Sequence, residues 1–471
     1  MLRLHNTMSR ELEEVRPLDG NLVRIYSCGP TVYRPSHVGN MRSYLLSDLI
    51  ARAVAYHGCD VKRLMNITDV GHMTDELSEA GRDKMLLAMD DENLTISEIA
   101  AKYTEQFLHD TDAINIRRAD LYPRATDHIQ QIIELVAKLI EREHAYEVGG
   151  SVFYDTTTFP AYGALSHQEL DAMRAAHRIE GVHPDKRHHQ DFVLWVAAGP
   201  RRELVFESPW SKGYPGWHIE CSAMSLHHFG DRFEVHTGGV DNRFPHHEDE
   251  IAQSEGAVGH KVVEVWAHGE HLLMDSAKMA KSAGNVVTIG GLTEQGVDPL
   301  AFRYLCFTGR YRRQVDFTDD ALAAAGTTLR RLRERVAMLA TVGDAPETDS
   351  ALRSALRDGE ALAYHDRFLA AIDDDLDFPA ALVVLHDALS DDAIPPSERF
   401  MLVGSWDTIL GLDLTSGDGL DPELESLVRE RDDARAAKDF ARADAIRDRL
   451  QESGVDLLDS AEGTRWVKRT R

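Results

Sequence analysis

The hydrophobic pattern near the start of the chain predicts alternating strands and helices. Residues 21–27 (NLVRIYS) are β-branched and aromatic and predict a buried strand. A loop with several glycines and prolines follows, and residues 41–57 then repeat apolar positions at helical spacing up to Gly58. The run VKRLMNITD predicts a second strand. This strand–loop–helix–strand order is typical of a doubly wound parallel nucleotide-binding sheet, in which ligands bind at the carboxyl ends of the strands.

Helical periodicity dominates the later parts of the chain. It extends over residues 95–143, whereas residues 144–213 are mixed in character. After Thr318 the apolar residues recur at spacings of three and four, which predicts amphipathic helices packed as a bundle; these residues are Leu322, Ala325, Leu329, Leu332, Val336 and Leu339. A linker (GLDLTSGDGLD) precedes a final unit of two predicted helices. Asp421 and Pro422 provide a cap and a first-turn proline for the first, and Phe440, Ala443, Ile446 and Leu450 predict the second.

Composition limits the classes of function. The chain has 471 residues, 43% of them hydrophobic and 28% charged, and a formal net charge of -27, which excludes a uniformly basic nucleic-acid binder. Only four cysteines occur, widely spaced, so we expect reduced thiols in the cytoplasm rather than a disulfide framework. The first twenty residues lack the apolar core of a signal peptide, and no long apolar run predicts a membrane span.

Two short motifs have the residues needed to bind phosphate groups. In PSHVGN, His37 and Gly39 lie between the first strand and a helix N-terminus, where a glycine permits close approach and free N–H groups face an anion. In KMAKSAGN, Lys278 and Lys281 lie beside small residues that suit a loop closing over a triphosphate. Each motif alone has a simpler interpretation, a turn histidine or a solvated lysine face. Together, about 240 residues apart, the two predict a nucleotide site.

These motifs and others resemble those of the class I aminoacyl-tRNA synthetases, and specifically the cysteinyl-tRNA synthetase family. The similar segments are CGPTVY, HVGN, NITDVGH, YPRATDHI, DFVLW, GWHIECSAM, HTGGVD, FPHHEDEIAQS, KMAKSAGN, DFARADAIRDRL and GTRW. The resemblance covers essentially the whole chain. Departures from the family pattern include Ala280, where serine is usual in the lysine loop, and Asn242 and Arg243, which replace apolar residues.

The resemblance implies an α/β fold class. We expect a doubly wound, Rossmann-like catalytic domain with an inserted subdomain, then an α-helical bundle and a small C-terminal helical domain. The expected parts are residues 1–125 (first half of the catalytic fold), 126–213 (inserted connective subdomain), 214–260 (second half, with the zinc motif), 261–318 (stem-contact region with the lysine loop), 319–411 (helical bundle for tRNA) and 420–471 (anticodon-contacting domain).

A metal site can be argued partly from the residues themselves. Thiolates and imidazoles suit zinc, and His246 and Glu250 are four residues apart, which places them on one face of a helix. From spacing alone, two buried unreactive cysteines and a polar helix start remain the alternative. The resemblance implies one zinc ion per chain, held by Cys28, Cys221, His246 and Glu250. It also implies that the substrate thiolate joins the metal, which would discriminate cysteine from serine.

The remaining site residues follow from matching motif positions. For ATP, accompanied by Mg²⁺, the resemblance implies binding residues Thr31, His37, Gly39, Asn40 and Lys281, with His37, Asn40, Lys278 and Lys281 in catalysis. For L-cysteine it implies Cys28, Thr68, Trp217 and Asp241, whose simpler interpretations are a strand-end hydroxyl for Thr68, a core residue for Trp217 and a turn residue for Asp241. Arg465, Trp466 and Lys468 are candidates for contact with tRNA(Cys), and a frayed basic terminus is the alternative.

The expected activity is therefore ATP-dependent ligation of cysteine to tRNA(Cys) through cysteinyl-adenylate, by a monomer. Three rivals share some of the motifs. A ligase that transfers cysteine to an amino sugar resembles the same core but ends before a unit such as residues 420–471. A non-catalytic relative would not need both phosphate motifs, and a simple nucleotidyltransferase would need neither the zinc residues nor the helical tail.

Overall fold

The structure of the protein is a computed structural model. It describes residues 1–70, 73–75, 80–83, 85, 88, 92–167, 186–199, 204–274, 277–278, 287–339, 345–356, 359–415, 422–453, 455–460 and 463–468. The strands are β1 (Arg3–Asn6), β2 (Glu11–Glu14), β3 (Leu22–Ser27), β4 (Asp60–Met65), β5 (Met73–Asp75), β6 (Ala80–Asp83), β7 (Ala145–Val148), β8 (Ser151–Tyr154), β9 (Phe192–Ala197), β10 (Gly213–Pro215), β11 (Phe233–Gly239), β12 (Val263–Gly269), β13 (Leu272–Met274), β14 (Ala277–Lys278), β15 (Val315–Phe317), β16 (Val455–Ser460) and β17 (Gly463–Lys468). The helices are α1 (Val38–Tyr56), α2 (Ile96–Ala113), α3 (Ile129–Glu141), α4 (Trp217–Phe229), α5 (His246–Val258), α6 (Ile289–Glu294), α7 (Pro299–Phe307), α8 (Asp319–Ala337), α9 (Asp349–Leu356), α10 (Glu360–Asp373), α11 (Phe378–Ser390), α12 (Pro396–Leu410), α13 (Pro422–Ala436) and α14 (Phe440–Glu452).

A parallel four-stranded sheet organises the catalytic part of the chain. Its strand order is β12-β11-β3-β4, with β3 in register with both β4 and β11. The chain enters at β3, moves outward to β4, and later returns on the other side to β11 and β12. The strand order therefore reverses between β3 and β11, and this is the point where doubly wound sheets bind ligands. The predicted α/β fold class is confirmed.

Helix α1 begins three residues earlier than the apolar pattern predicts. His37 is its N-cap: its Nδ1 accepts a hydrogen bond from the Asn40 backbone N–H at 3.2 Å, and its own N–H donates to Asn40 Oδ1 at 3.3 Å. This reciprocal capping box satisfies donors that would otherwise be exposed at the helix start. Gly58 follows the helix with a φ of 88°, a left-handed conformation that glycine adopts without strain.

The insertion between the two halves of the parallel sheet contains an antiparallel sheet of order β10-β9-β8-β7. Its apolar face, including Val152, Tyr154 and Leu194, packs with helices α3 and α4 in one buried cluster. The described parts of the mixed segment of residues 144–213 therefore include strands that pack against a helix of the catalytic domain.

The helical bundle follows the predicted amphipathic pattern. The six predicted apolar residues in and just after α8 are all buried. Deeper in the bundle, the Trp406 and Phe368 rings stack with centroids 4.5 Å apart. Among the described residues, no helix is both long and apolar enough to cross a membrane.

The C-terminal unit contains a strand pair in addition to the two predicted helices. Helices α13 and α14 pack together, and β16 and β17 form an antiparallel pair beside them. Ala443, Ile446 and Leu450 are buried, but Phe440 is 63% exposed. Phe440 directly follows the N-cap residue of α14, so it lies beyond the packed turns of the helix.

Candidate active site

The reversal point of the sheet brings together the loops that follow β3, β4 and β11. Cys28 directly follows β3, and its N–H donates to the Thr237 carbonyl of β11 at 3.3 Å. Thr31 forms an isolated parallel bridge with Thr68, which joins the loop after β3 to the loop after β4. Gly29 lies so close to Asn66 that a Cβ there would be 1.7 Å from the Asn66 carbonyl oxygen. Only glycine fits this approach.

The segment that follows the lysine motif in the sequence contacts the N-terminus of α1. The Val38 N–H donates to the carbonyl oxygen of Val287 at 2.9 Å, and Val287 lies two residues after the KMAKSAGN motif in the sequence. Gly39 leaves space beside the His37 ring, where a Cβ would meet the imidazole at 3.0 Å. Lys278 lies on β14, paired with Leu273, whereas Lys281 lies outside the described residues.

Four side chains from three separate parts of the sequence converge at one point. Cys28 Sγ lies 3.9 Å from Cys221 Sγ and 3.5 Å from Glu250 Oε1. His246 Nε2 lies 3.6 Å from Cys221 Sγ and 3.1 Å from Glu250 Oε1. A tetrahedral zinc ion would separate two sulfurs by about 3.8 Å, sulfur from nitrogen or oxygen by about 3.6 Å, and nitrogen from oxygen by about 3.3 Å. The observed separations match a single tetrahedral ion.

Two further histidines support these side chains from outside. His236 Nε2 contacts Glu250 Oε2 at 2.9 Å, which leaves Oε1 directed at the other three residues. His247 Nε2 lies 3.2 Å from Cys28 Sγ, and its Nδ1 contacts His268 Nε2 at 2.8 Å. Gly238 permits this packing, since a Cβ there would lie 2.6 Å from the His247 ring. Such outer partners fix the orientation of metal ligands.

His246 has a separate chain of partners. Its Nδ1 lies 2.7 Å from His218 Nδ1, and His218 Nε2 lies 3.5 Å from Asp249 Oδ2. If His246 offers its Nε2 lone pair to a metal, its Nδ1 carries the proton and donates to His218. His218 then carries its own proton on Nε2, facing the Asp249 carboxylate. Each ring nitrogen of His246 and His218 therefore has a complementary partner.

A second set of residues, Cys28, His236, His247 and Glu250, also meets the distance requirement for a metal site. It shares Cys28 and Glu250 with the first set, so an ion held by one set excludes an ion held by the other. The first set contains two thiolates, the softer ligands that zinc favours. It also leaves His236 and His247 with the outer contacts described above, and we therefore prefer it.

Burial and charge set the protonation of this cluster. Burial opposes ionisation of Cys221, but hydrogen bonds from Cys28 and His246 outweigh it and lower the pKa of Cys221 to about 7. Burial likewise opposes the charged form of His246, yet contacts with Cys221 and Glu250 raise its pKa to about 10. The pKa of Glu250 is lowered to about 2, against burial, chiefly by His236. A cation bound here would displace protons from a site already organised for charge.

Of the residues predicted to bind the amino acid, Trp217 contacts the four-residue cluster directly. Trp217 packs its ring 4.6 Å from the His246 ring, between centroids. Thr68 is buried and donates to Glu220 Oε2 at 3.1 Å. Asp241 is 64% exposed at its side chain and lies 4.0 Å from His271 Nδ1.

Sequence reasoning missed the buried partners of the predicted residues. Asn66 donates to Thr68 Oγ1 at 3.1 Å and accepts from the Gly29 N–H at 2.9 Å. Glu220, next to Cys221, is fully buried. An acid inside an otherwise apolar helix face was the available signal for Glu220. Strand β17 contains the three candidate tRNA-binding residues, Arg465, Trp466 and Lys468.

Comparisons with known proteins agree with this geometry. The family of class I (C) tRNA synthetase catalytic domains matches residues 14–327, and the cysteinyl-tRNA ligase anticodon binding domain matches residues 417–466. The structure of Mycobacterium tuberculosis methionyl-tRNA synthetase in complex with methionyl-adenylate superposes with a TM-score of 0.56 at 15% identity. That match covers 83% of this chain and 90% of the other. The fold and the family match define a class I aminoacyl-tRNA synthetase catalytic domain.

Full-length relatives narrow the class. The cysteine–tRNA ligase of Treponema denticola is 38% identical, over 99% of this chain and 99% of the relative. That of Salinibacter ruber is 39% identical, over 99% and 98% respectively. The chain belongs to the cysteine–tRNA ligase family, and it is an enzyme of the ligase class.

Proposed function

We propose that this chain activates L-cysteine with ATP to form cysteinyl-adenylate and transfers the cysteinyl group to tRNA(Cys), releasing AMP and pyrophosphate. The observation that carries the proposal is the convergence of Cys28, Cys221, His246 and Glu250 with separations suited to one tetrahedral ion. Zinc is the cation that fits two thiolates, an imidazole and a carboxylate.

In this proposal zinc supplies a soft Lewis-acid partner for the thiolate of the substrate. Residues around the metal ligands increase the selectivity for cysteine over serine. His236 holds Glu250 by its far oxygen, and His218 holds His246 by its far nitrogen, so both ligands keep fixed orientations. Serine presents a hard hydroxyl of high pKa, and a site built on one specific polar interaction rejects such an analogue by about 10⁴ or more. Selection of this kind would need no editing domain.

The proposed ATP site is the N-terminus of α1. Thr31, His37, Gly39 and Asn40 would surround the nucleotide, with Mg²⁺ accompanying the phosphates. The hydrogen bond from Val38 to Val287 supports a role for Lys278 and Lys281, because it places a residue only two positions after the lysine motif beside the helix start. Adenylation would then depend on positioning and charge stabilisation rather than on covalent catalysis.

The proposed amino-acid pocket lies between the α1 loop and the four-residue cluster. Trp217, packed on His246, would form a wall, and Thr68, held by Asn66 and Glu220, would bind the amino acid. Asp241 would pair with the substrate ammonium group. Its carboxylate is accessible, which suits a group that must meet an incoming cation.

The tRNA would contact the C-terminal half of the chain. The match of residues 417–466 to an anticodon binding domain supports this, and Arg465, Trp466 and Lys468 on β17 are the proposed contacts. We also propose that the protein is a cytoplasmic monomer, in which all four cysteines are reduced, as they are in the structure. The six parts expected from the sequence remain our proposal for its domain organisation.

Charging of purified tRNA(Cys) with labelled cysteine tests the function. We expect charging with cysteine and about 10⁴-fold less, or none, with serine. An amino sugar should accept no cysteine. Cysteine-dependent pyrophosphate exchange with transfer only to the amino sugar would reject the tRNA assignment. Absence of any cysteine-dependent exchange would reject the activity as a whole.

A further inference from the structure

A second group of metal-ligating side chains lies away from the active site. His128 ends the short 3-10 turn Thr126–His128 before α3, and His227 and His228 are in the last turn of α4. One ring nitrogen from each lies within 4.8 Å of the other two. Cys221 is six residues before His227 on the same helix, about 9 Å along its axis. The three histidines therefore form a cluster separate from the cysteine pair.

The hydrogen bonds of His128 determine which of its nitrogens has a free lone pair. His128 Nδ1 lies 2.7 Å from the Arg124 carbonyl oxygen. A carbonyl oxygen only accepts, so Nδ1 carries the proton and Nε2 of the neutral ring is unprotonated. This Nε2 lies 3.0 Å from His228 Nε2. An imidazole that donates from one nitrogen to a backbone carbonyl and presents the other is the usual arrangement of a metal ligand.

The surroundings favour a cation, with one opposing charge. The cluster is at the C-terminal end of α4, where the helix dipole is negative. The Lys62 ammonium, in contrast, acts on His228 from nearby. His227 is exposed and can adjust its side-chain angles to close on an ion, with water completing the coordination. Lys62 is the opposing charge.

We propose that His128, His227 and His228 form a second metal site, which takes a divalent transition-metal ion such as Zn²⁺, Ni²⁺ or Co²⁺. Its ligands are all nitrogens from the protein, in contrast to the thiolate site at Cys28 and Cys221. A bound ion would cross-link the turn that begins the inserted subdomain's first helix to the end of α4, the helix that also carries Cys221.

Cobalt titration of the metal-free full-length protein distinguishes the two sites. Co²⁺ bound to thiolates gives a near-ultraviolet charge-transfer band, and Co²⁺ bound only to nitrogen and water does not. We expect two Co²⁺ per chain by equilibrium dialysis, with the band accounting for one of them. The His227→Ala/His228→Ala variant should bind one Co²⁺ and keep the band, which also shows that it has folded. His109→Ala, a change at an exposed histidine outside the cluster, should bind two.

Two single changes make the test independent of the double variant. His227→Gln, at an exposed position, should weaken the second Co²⁺ at least about tenfold. Lys62→Gln removes the opposing charge and should tighten the same ion severalfold. The proposal is overturned if the wild type binds only the thiolate-site ion, if the double variant retains the second ion, or if His227→Gln leaves its affinity unchanged.

Discussion

Cys28 and Cys221 are 193 residues apart in the sequence, yet their sulfur atoms lie 3.9 Å apart. Cys28 is at the carboxyl end of β3 and Cys221 is in the second turn of α4, so the parallel sheet and its covering helix create the pair. Both thiols are free, and their spacing is that of two sulfurs on one metal ion rather than of a disulfide.

Replacing one of these sulfurs should remove the metal. We expect Cys221→Ser to reduce bound zinc from about one ion per chain to a small fraction, because a hydroxyl replaces a thiolate ligand. Elemental analysis of the dialysed protein measures this. Cys59→Ser is the matched control, because Cys59 is a buried cysteine just before β4 whose replacement should leave the zinc content unchanged. Full zinc content in Cys221→Ser would show that the ion is held elsewhere.

His236 should matter to metal affinity without binding the metal. His236→Asn removes the partner of Glu250 Oε2, so we expect zinc affinity to fall about 10–100-fold while the fold is retained. Competition with a chromophoric chelator gives the dissociation constant. His260→Asn, at a surface histidine bonded to Asp231, provides the comparison and should have no effect. A complete loss of binding in His236→Asn would favour the alternative ligand set that includes this residue.

The sequence could predict contacts between residues that are close together in the chain, but not contacts between residues that are far apart in it. His246 and Glu250 share one helix face, so their proximity follows from a spacing of four. The meeting of Cys28 with Cys221 came from the family resemblance, since no local pattern links residues so far apart. The outer partners were missed for the same reason: His236 belongs to β11 and His268 to β12, and only the parallel register places them beside α5.

The parts of the fold that the sequence predicted are likewise those that depend on short-range patterns. Strand β3, helix α1 and the buried face of α8 follow from short-range periodicity and were predicted. The antiparallel sheet of the insertion was not predicted, because its strands are short and a long segment separates β8 from β9. The C-terminal pair β16–β17 was also missed, since a charged, tryptophan-containing tail resembles a disordered end in composition.

Lys281 should act on adenylation and not on amino-acid binding. We expect Lys281→Ala to lower the rate of cysteine-dependent pyrophosphate exchange about 10²-fold or more, because a charge that stabilises the transferring phosphates is lost. The KM for cysteine should change little. Lys212→Ala removes an exposed lysine from the inserted subdomain and should leave the rate unaltered. Unchanged exchange in Lys281→Ala would remove the residue from the mechanism.

The Asp48 carboxylate should make the free energy of unfolding fall as the solution becomes acidic. Its fully buried carboxylate contacts Arg52 at 2.8 Å, and Arg63 and Arg303 at 3.1 Å. Burial alone would raise the pKa of Asp48, but Arg52, Arg303 and Arg63 together lower it from 3.8 to about 2. Since the folded pKa lies below the unfolded one, the stabilisation is complete above about pH 4 and is lost as pH falls through about 2.

Asp48→Asn leaves three buried guanidinium groups without their counter-charge. We expect the free energy of unfolding at pH 7 to fall by about 3–5 kcal/mol, and the difference from wild type to shrink toward pH 2. Urea denaturation at both pH values measures it. Asp19→Asn, at a carboxylate that is 91% exposed beside Arg24, should cost under about 0.5 kcal/mol. Equal stability of Asp48→Asn and wild type at pH 7 would contradict the interpretation.

X-ray absorption at the zinc K-edge, recorded with and without cysteine, tests most directly whether the metal recognises the substrate. The free enzyme should show two sulfur neighbours per zinc at about 2.3 Å, from Cys28 and Cys221. Saturating cysteine should raise the count to three, and saturating serine should leave it at two. A sulfur count that stays at two with cysteine bound would contradict recognition of the amino acid through its thiolate.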